Sequence, residues 1–183
     1  IEASLFVDNV PLNVYNSLID AVNQSLPLLH EYLDIKKNIM NLDELHLYDV
    51  YKPLAKNSGK VYSYDEAIEI ILEALKPLGE EYLTILKQGL KDKWVDKYEN
   101  KGKRSGAYST GCYDTNPYIL MNFNGRLSDV FTLAHEIGHS MHTYFSKRKQ
   151  SPVYSDYKIF VAEVASIFNE MLLKEFLLKN SQS

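Results

Sequence analysis

Apolar side chains recur every three or four residues along most of this chain, a period that predicts helices joined by short polar turns. Val14, Leu18, Val22, Leu26, Leu29 and Leu33 share one side of a first helix. Pro11 can open that helix, and Pro27 is expected to kink or split it. Ser63-Tyr64-Asp65-Glu66 reads as a capping box for a helix with Ala67, Ile70, Ile71, Ala74 and Leu75 turned inward. Pro77 and Gly79 then separate it from a helix running into Trp94. Residues 101–106 are the most loop-like stretch, and no internal repeat or low-complexity tract is present.

The period breaks once, between 107 and 123. The short apolar run Tyr118 to Phe123 is bounded by Asn116-Pro117 and Asn124-Gly125, which predicts a strand, with Ala107 to Tyr113 as its partner. Helical spacing resumes at Val130, Phe131, Leu133, Ala134, Ile137, Met141, Tyr144 and Phe145. Ser128 is the expected cap, Asp129 supplies first-turn negative charge, and Lys147-Arg148-Lys149 closes the helix. A last helix carries a wide apolar stripe of Phe160, Val161, Val164, Ile167, Phe168, Met171, Leu172 and Phe176, expected to be buried.

The chemistry sits on the helix after the break, as His135-Glu136-Ile137-Gly138-His139. This H-E-x-x-H pattern is the mark of a zinc site that activates water against peptide bonds. Four residues of helix bring His139 round to about 40° from His135 and roughly 6 Å along the axis, so both imidazoles reach one ion. Glu136 lies about 100° away and flanks the ion, where a carboxylate takes a proton from water and passes it to a leaving amine. A helix with two histidines and a glutamate buried among apolar groups but no metal would strand several polar atoms, which argues against satisfied core histidines.

A catalytic zinc usually takes three protein ligands and keeps one position open. His142 is near in angle to His135 but roughly 10 Å further along an unbroken helix, so its expected place is that of a polar neighbour. Glu163 is the better candidate, at 163 − 139 = 24 residues beyond the second histidine, beside an apolar stripe where a carboxylate needs a partner. Glu170 falls seven residues on and nearly on the same face, where it can accept a hydrogen bond from a ligating imidazole and hold its tautomer.

At these residues the chain resembles the M3 peptidases and, among them, the oligoendopeptidase F group. The likeness extends over residues 42–51, 105–109 and 113–122, the metal helix, and 160–166. It implies a single zinc held by His135, His139 and Glu163, catalysis by Glu136, a helical fold with the site in a deep channel, and short peptides as substrates. It also places Gly106, Ala107 and Tyr108 in the substrate cleft, where a strand edge offers backbone hydrogen bonds to an extended peptide. Enzymes that look like this are roughly three times longer, and a His and Tyr pair from a segment beyond Ser183 stabilises the oxyanion in them. Both flanking segments are expected to be absent from this chain.

Composition narrows the rest. A chain of 183 residues with 45% hydrophobic content buries one sizeable core, and a net charge of −4 disfavours nucleic acid and anionic membranes as partners. A single Cys112 suits a reducing cytoplasm, and no stretch reads as a signal peptide or a membrane span. The expectation is a mainly α fold, a zincin-like multi-helix catalytic core with a small β-hairpin or short sheet beside the metal helix. Residues 1–183 form a single partial catalytic domain, with a helical region at 1–100, substrate-edge strands at 105–125 and metal-binding helices at 126–180. The expected activity is zinc-dependent cleavage of oligopeptides. The alternative is a zinc-holding, catalytically incomplete piece that binds peptide and associates with itself or with the missing segments; a purely structural zinc domain is disfavoured, because three ligands beside a glutamate make an open site.

Overall fold

The computed structural model describes residues 1–54 and 59–180 and, at Phe160, the backbone alone. It divides into two compact units, Ile1–Gly59 and Lys60–Ser183. The first holds a short helix α1 (Glu2–Phe6), the long α2 (Leu12–Ile39) and a 3-10 turn, Leu47–Tyr51. Pro11 sits just ahead of α2 in extended backbone, as its fixed φ favours. Of the two outcomes expected at Pro27, a split does not occur, since α2 runs through it unbroken. Residues 23 and 27 are both exposed, so water can satisfy the carbonyl that the missing N–H leaves free. The stripe of Val14, Leu18, Val22, Leu26 and Leu29 is also exposed. Buried Lys36 donates to the carbonyls of Val50 at 2.6 Å and Lys52 at 2.7 Å, tying α2 to the 3-10 turn.

The second unit carries the core. Ser63 caps α3 (Tyr64–Ala74) by accepting from the Glu66 N–H at 3.1 Å. Ala67, Ile71, Ala74 and Leu75 face inward and Ile70 is partly buried, as the spacing predicts. Gly79, with φ 91°, turns the chain into α4 (Glu80–Lys91). Trp94 then folds back on Gly89, where a Cβ would meet its ring at 2.4 Å.

Three short strands follow, β1 (Val95–Asp96), β2 (Tyr108–Thr110) and β3 (Tyr118–Leu120), in the order β1-β3-β2. The antiparallel pair β2–β3 was legible, with Ser109 opposite Ile119. Parallel β1 was not, since two residues are too short to show a period. Lys103, with its side chain only 5% exposed, donates to the carbonyls of Asp96 and Tyr98 and pins the polar loop between β1 and β2.

Helix α5 (Leu127–Lys149) starts one residue ahead of Ser128, which is therefore inside its first turn and not the cap. Asp129 does that work. Its carboxylate accepts from the backbone N–H of Arg126 at 3.0 Å and of Asn124 at 2.9 Å. Val130, Leu133, Ala134, Ile137 and Met141 are at most 1% exposed and form the centre of the core with α3, α4 and β3.

Helix α6 (Ile159–Asn180) packs along α5 with a different face from the expected one. Ser166, Asn169 and Leu173 are buried, whereas Val161, Val164, Ile167, Phe168 and Met171 are exposed; the Phe160 side chain lies outside the described residues. The reason is steric and polar at once. A Cβ on Gly138 would lie 2.6 Å from the Ser166 Cα, so the helices meet at small residues, and Asn169 Nδ2 donates to the Ala134 carbonyl at 3.2 Å. Among the described residues, no helix is long and apolar enough to cross a membrane.

Candidate metal centre

Two adjacent turns of α5 present His135 and His139, and the first turns of α6 bring Glu163 against them. His135 Nε2 and His139 Nε2 are 3.1 Å apart, and Glu163 Oε2 lies 3.3 Å from the first and 3.4 Å from the second. These are the only three residues among those described that bring metal-type donors together in this way.

The second nitrogen of each ring decides what the first can do. His135 Nδ1 is 2.6 Å from Glu170 Oε1, and a proton held there leaves Nε2 as a lone pair aimed at the cluster. The backbone of Ala162 hydrogen-bonds the His139 ring as well. Burial lowers the His139 pKa, as does His135, while Glu163 and the Ala162 bond act against it, so the net push is towards the neutral form that a ligand needs.

Three acceptors thus converge on one point, an arrangement that repels itself without a cation. Donors bound tetrahedrally at about 2.0–2.1 Å from zinc are roughly 3.3 Å apart, the spacing seen here. The donor set therefore fits a zinc-sized ion. Ser166, fully buried, donates to Glu163 Oε2 at 2.9 Å and steadies the carboxylate.

Glu136 is 6% exposed beside this cluster, and its Oε2 has no hydrogen-bond partner among the described residues. Burial raises its carboxyl pKa; His135 pulls it back, Glu163 pushes it further up, and the Ser109 backbone amide pulls it down. A buried carboxylate with one oxygen unengaged among the described residues suits proton transfer beside the cluster. Ala107, Tyr108, Ser109, Tyr157 and Ala162 complete a cleft of about 390 Å³ with the cluster and Glu136. Depressions of 320, 310 and 370 Å³ occur elsewhere, so the donors and not the volume single this one out.

Of the residues read from sequence, His135, Glu136, His139, Glu163 and Glu170 come together. Ala107 and Tyr108 line the cleft, while Gly106 lines a neighbouring depression with Asn122 and Thr132. His142 stands off the cluster, stacked on Tyr157 with centroids 3.8 Å apart, its Nδ1 buried without a partner among the described residues and its pKa lowered by burial and by His139. Sequence reading missed Ser166, Asn169, Tyr157, Ser109 and Ser140. The signal available for Ser166 was its i+3 spacing from Glu163.

The model of peptidase family M3 matches residues 1–183. Oligopeptidase PepF of Bacillus subtilis (strain 168) is 53% identical over 179 residues, 98% of this chain and 27% of that protein. An oligoendopeptidase F homolog of Borreliella burgdorferi is 51% identical over 178 residues, 96% of this chain and 30% of the other. A crystal structure of a candidate peptidase from Chlamydophila abortus superposes with a TM-score of 0.84 at 51% identity, covering 100% of this chain and 30% of that one. The chain thus spans less than a third of the length of the relatives it matches.

Proposed function

This chain belongs to peptidase family M3, and from that premise we propose that it is the zinc-binding catalytic core of an endopeptidase acting on oligopeptides. The observation that carries the proposal is the convergence of His135, His139 and Glu163 within 3.1–3.4 Å, with a half-satisfied Glu136 beside them. His135, His139 and Glu163 would hold one zinc per chain, which would supply Lewis acidity towards water and the scissile carbonyl. Glu136 accepts the proton of the attacking water and hands it to the leaving amine. Glu170 holds the His135 ring, and Ser166 holds Glu163, so that neither ligand is free to rotate away.

Among the described strands β2 is the edge of its sheet, and that edge beside the cleft suits an extended peptide added as a further strand. Tyr108 belongs to that edge, with Gly106 and Ala107 at its approach. Binding through backbone groups would accept many sequences. The proposed partners are oligopeptides, with neither nucleic acid nor membrane among them; the exposed, free Cys112 supports a reducing compartment, and the cytoplasm is the proposed location.

A second reading, a zinc-holding piece that binds peptide without turning it over, draws on one observation. Among the described residues of the cleft, the Tyr157 hydroxyl is engaged with Thr143 Oγ1 at 2.7 Å and Tyr108 is 53% exposed, so neither is fixed as an oxyanion donor. One substitution tests the main reading in an enzyme of full family length that carries this segment. Glu136→Gln should keep zinc near one to one and lower hydrolysis of a quenched oligopeptide by about 10²- to 10⁴-fold. Undiminished hydrolysis, or a parent enzyme that binds no zinc, would overturn the proposal.

A further inference from the structure

The edge strand is fastened to the metal helix by side chains that the catalytic reading does not use. Glu136, Ser140, Thr143 and Lys147 follow one another at i, i+4, i+7 and i+11 and so share one face of α5. Ser140 is 1% exposed, and its Oγ lies 2.8 Å from the Oγ of Ser109, the middle residue of β2. Further along, Lys147 Nζ donates to the carbonyl of Gly111. Tyr108 and Thr110 are exposed while Ser109 is half-buried, so the strand alternation turns the Ser109 side chain to the helix and its neighbours away.

We propose that Ser140 is a positioning residue, whose hydroxyl pair with Ser109 sets how β2 rides over α5 and hence where a peptide on that edge lies relative to Glu136. The inference rests on the peptidase reading above. Two features of the pair support it. Both side chains are small, which allows strand and helix to approach closely, and a hydroxyl pair is directional where an apolar contact is not. Ser140 also directly follows His139, so the fastening and the ligand share one helical turn. The backbone amide of Ser109 acts on Glu136 as well, so a shift of the strand reaches the base and the peptide together. A misplacement of about 1 Å at a reacting centre can cost up to ~10²-fold in rate.

The experiment is a double-mutant cycle of Ser140→Ala and Ser109→Ala in the full-length enzyme, with zinc content, thermal midpoint, kcat and KM measured for each. Ser140→Ala should lower kcat by about tenfold or more and change KM by less than about threefold, with zinc retained. The double variant should be no slower than the slower single one, since both remove the same bond. Leu86→Ala, in the core and not among the residues lining the cleft, serves as the control: it should lower the thermal midpoint and leave the ratio of kcat to KM effects near one. Multiplying effects in the cycle, or a loss in Ser140→Ala that merely follows its thermal midpoint as in the control, would overturn the inference. A parent enzyme with full zinc that cuts no peptide would instead sink the functional reading. Hydrogen exchange decides the fastening in that case: amides of 107–111 should exchange at least about tenfold faster in Ser140→Ala, and unchanged exchange would refute it.

Discussion

At position 135 one imidazole serves two masters, Glu170 at Nδ1 and the converging donors at Nε2, and the cluster depends on both. Removing Glu170 frees the ring and its tautomer. Glu170→Ala should therefore weaken zinc binding by about 10- to 100-fold without removing a ligand. Glu163→Ala should weaken it more, and His142→Ala should leave it within a few-fold, because the His142 ring stacks on Tyr157 away from the donors. Competition against a chelating dye measures all three; zinc lost in His142→Ala but kept in Glu163→Ala would refute the assignment. The histidine pair and Glu136 were legible because helical spacing relates 135, 136 and 139; Glu163 was read from a stripe expected to be buried, whereas its side chain is half exposed and the fold brings it to the histidines. Ser166 was not legible in the same way: a helical serine has its own backbone as an alternative partner, and here its Oγ bonds the Glu163 carbonyl at 3.1 Å as well as the carboxylate.

Between elements, the α5–α6 contact decides whether ligands from two helices meet at all. Gly138→Ala would place a methyl 2.6 Å from the Ser166 Cα and 2.8 Å from the Ala165 carbonyl oxygen, both backbone atoms that cannot swing aside. The expected outcome is a loss of about 1–3 kcal/mol in stability, together with weaker zinc binding as α6 is pushed from α5. An unchanged thermal midpoint and zinc affinity would show that the helices can part at no cost. Tyr82 braces the same contact by its bonds with Asn169. Burial pushes its hydroxyl up to about 12, against a smaller downward pull from Asn169. The unfolded value is about 10, so the folded value is the higher one, and the contribution is complete below about pH 10 and lost as the pH rises through about 12. Tyr82→Phe should accordingly show a flatter fall of thermal midpoint between pH 10 and 12 than the parent; overlapping slopes would remove Tyr82 from the account. Helix existence was readable from the period, but the buried face of α6 was not. Val161, Val164, Ile167, Phe168 and Met171 of its apolar stripe are exposed while Leu172 and Phe176 pack on the core, because the neighbour on the inside requires a small Ser166 and a hydrogen-bonding Asn169.

For the molecule as a whole, the proposed ligands and the proposed base lie in a chain under a third of its relatives' length. The described cleft holds no fixed oxyanion donor, and one such donor typically contributes about 3 to 4 kcal/mol. The isolated 183-residue chain, loaded with zinc, should cut a quenched oligopeptide at least ~10²-fold more slowly than a full-length relative; a rate within about tenfold would show that the cleft supplies its own donor. By themselves, the residues in order determined what depends on local spacing: the helices, the β2–β3 pairing, the Ser63 cap, and a histidine pair with its glutamate on one helix. Such features follow from 3.6- and 2-residue periods and from contacts a few positions apart. Only the tertiary structure decided which face of α6 is buried and how a serine on β2 meets one on α5 across a separation of 31 residues. Those outcomes turn on which side chains are small enough to let backbones approach and which polar atoms then find partners, and neither is visible until distant segments share one space.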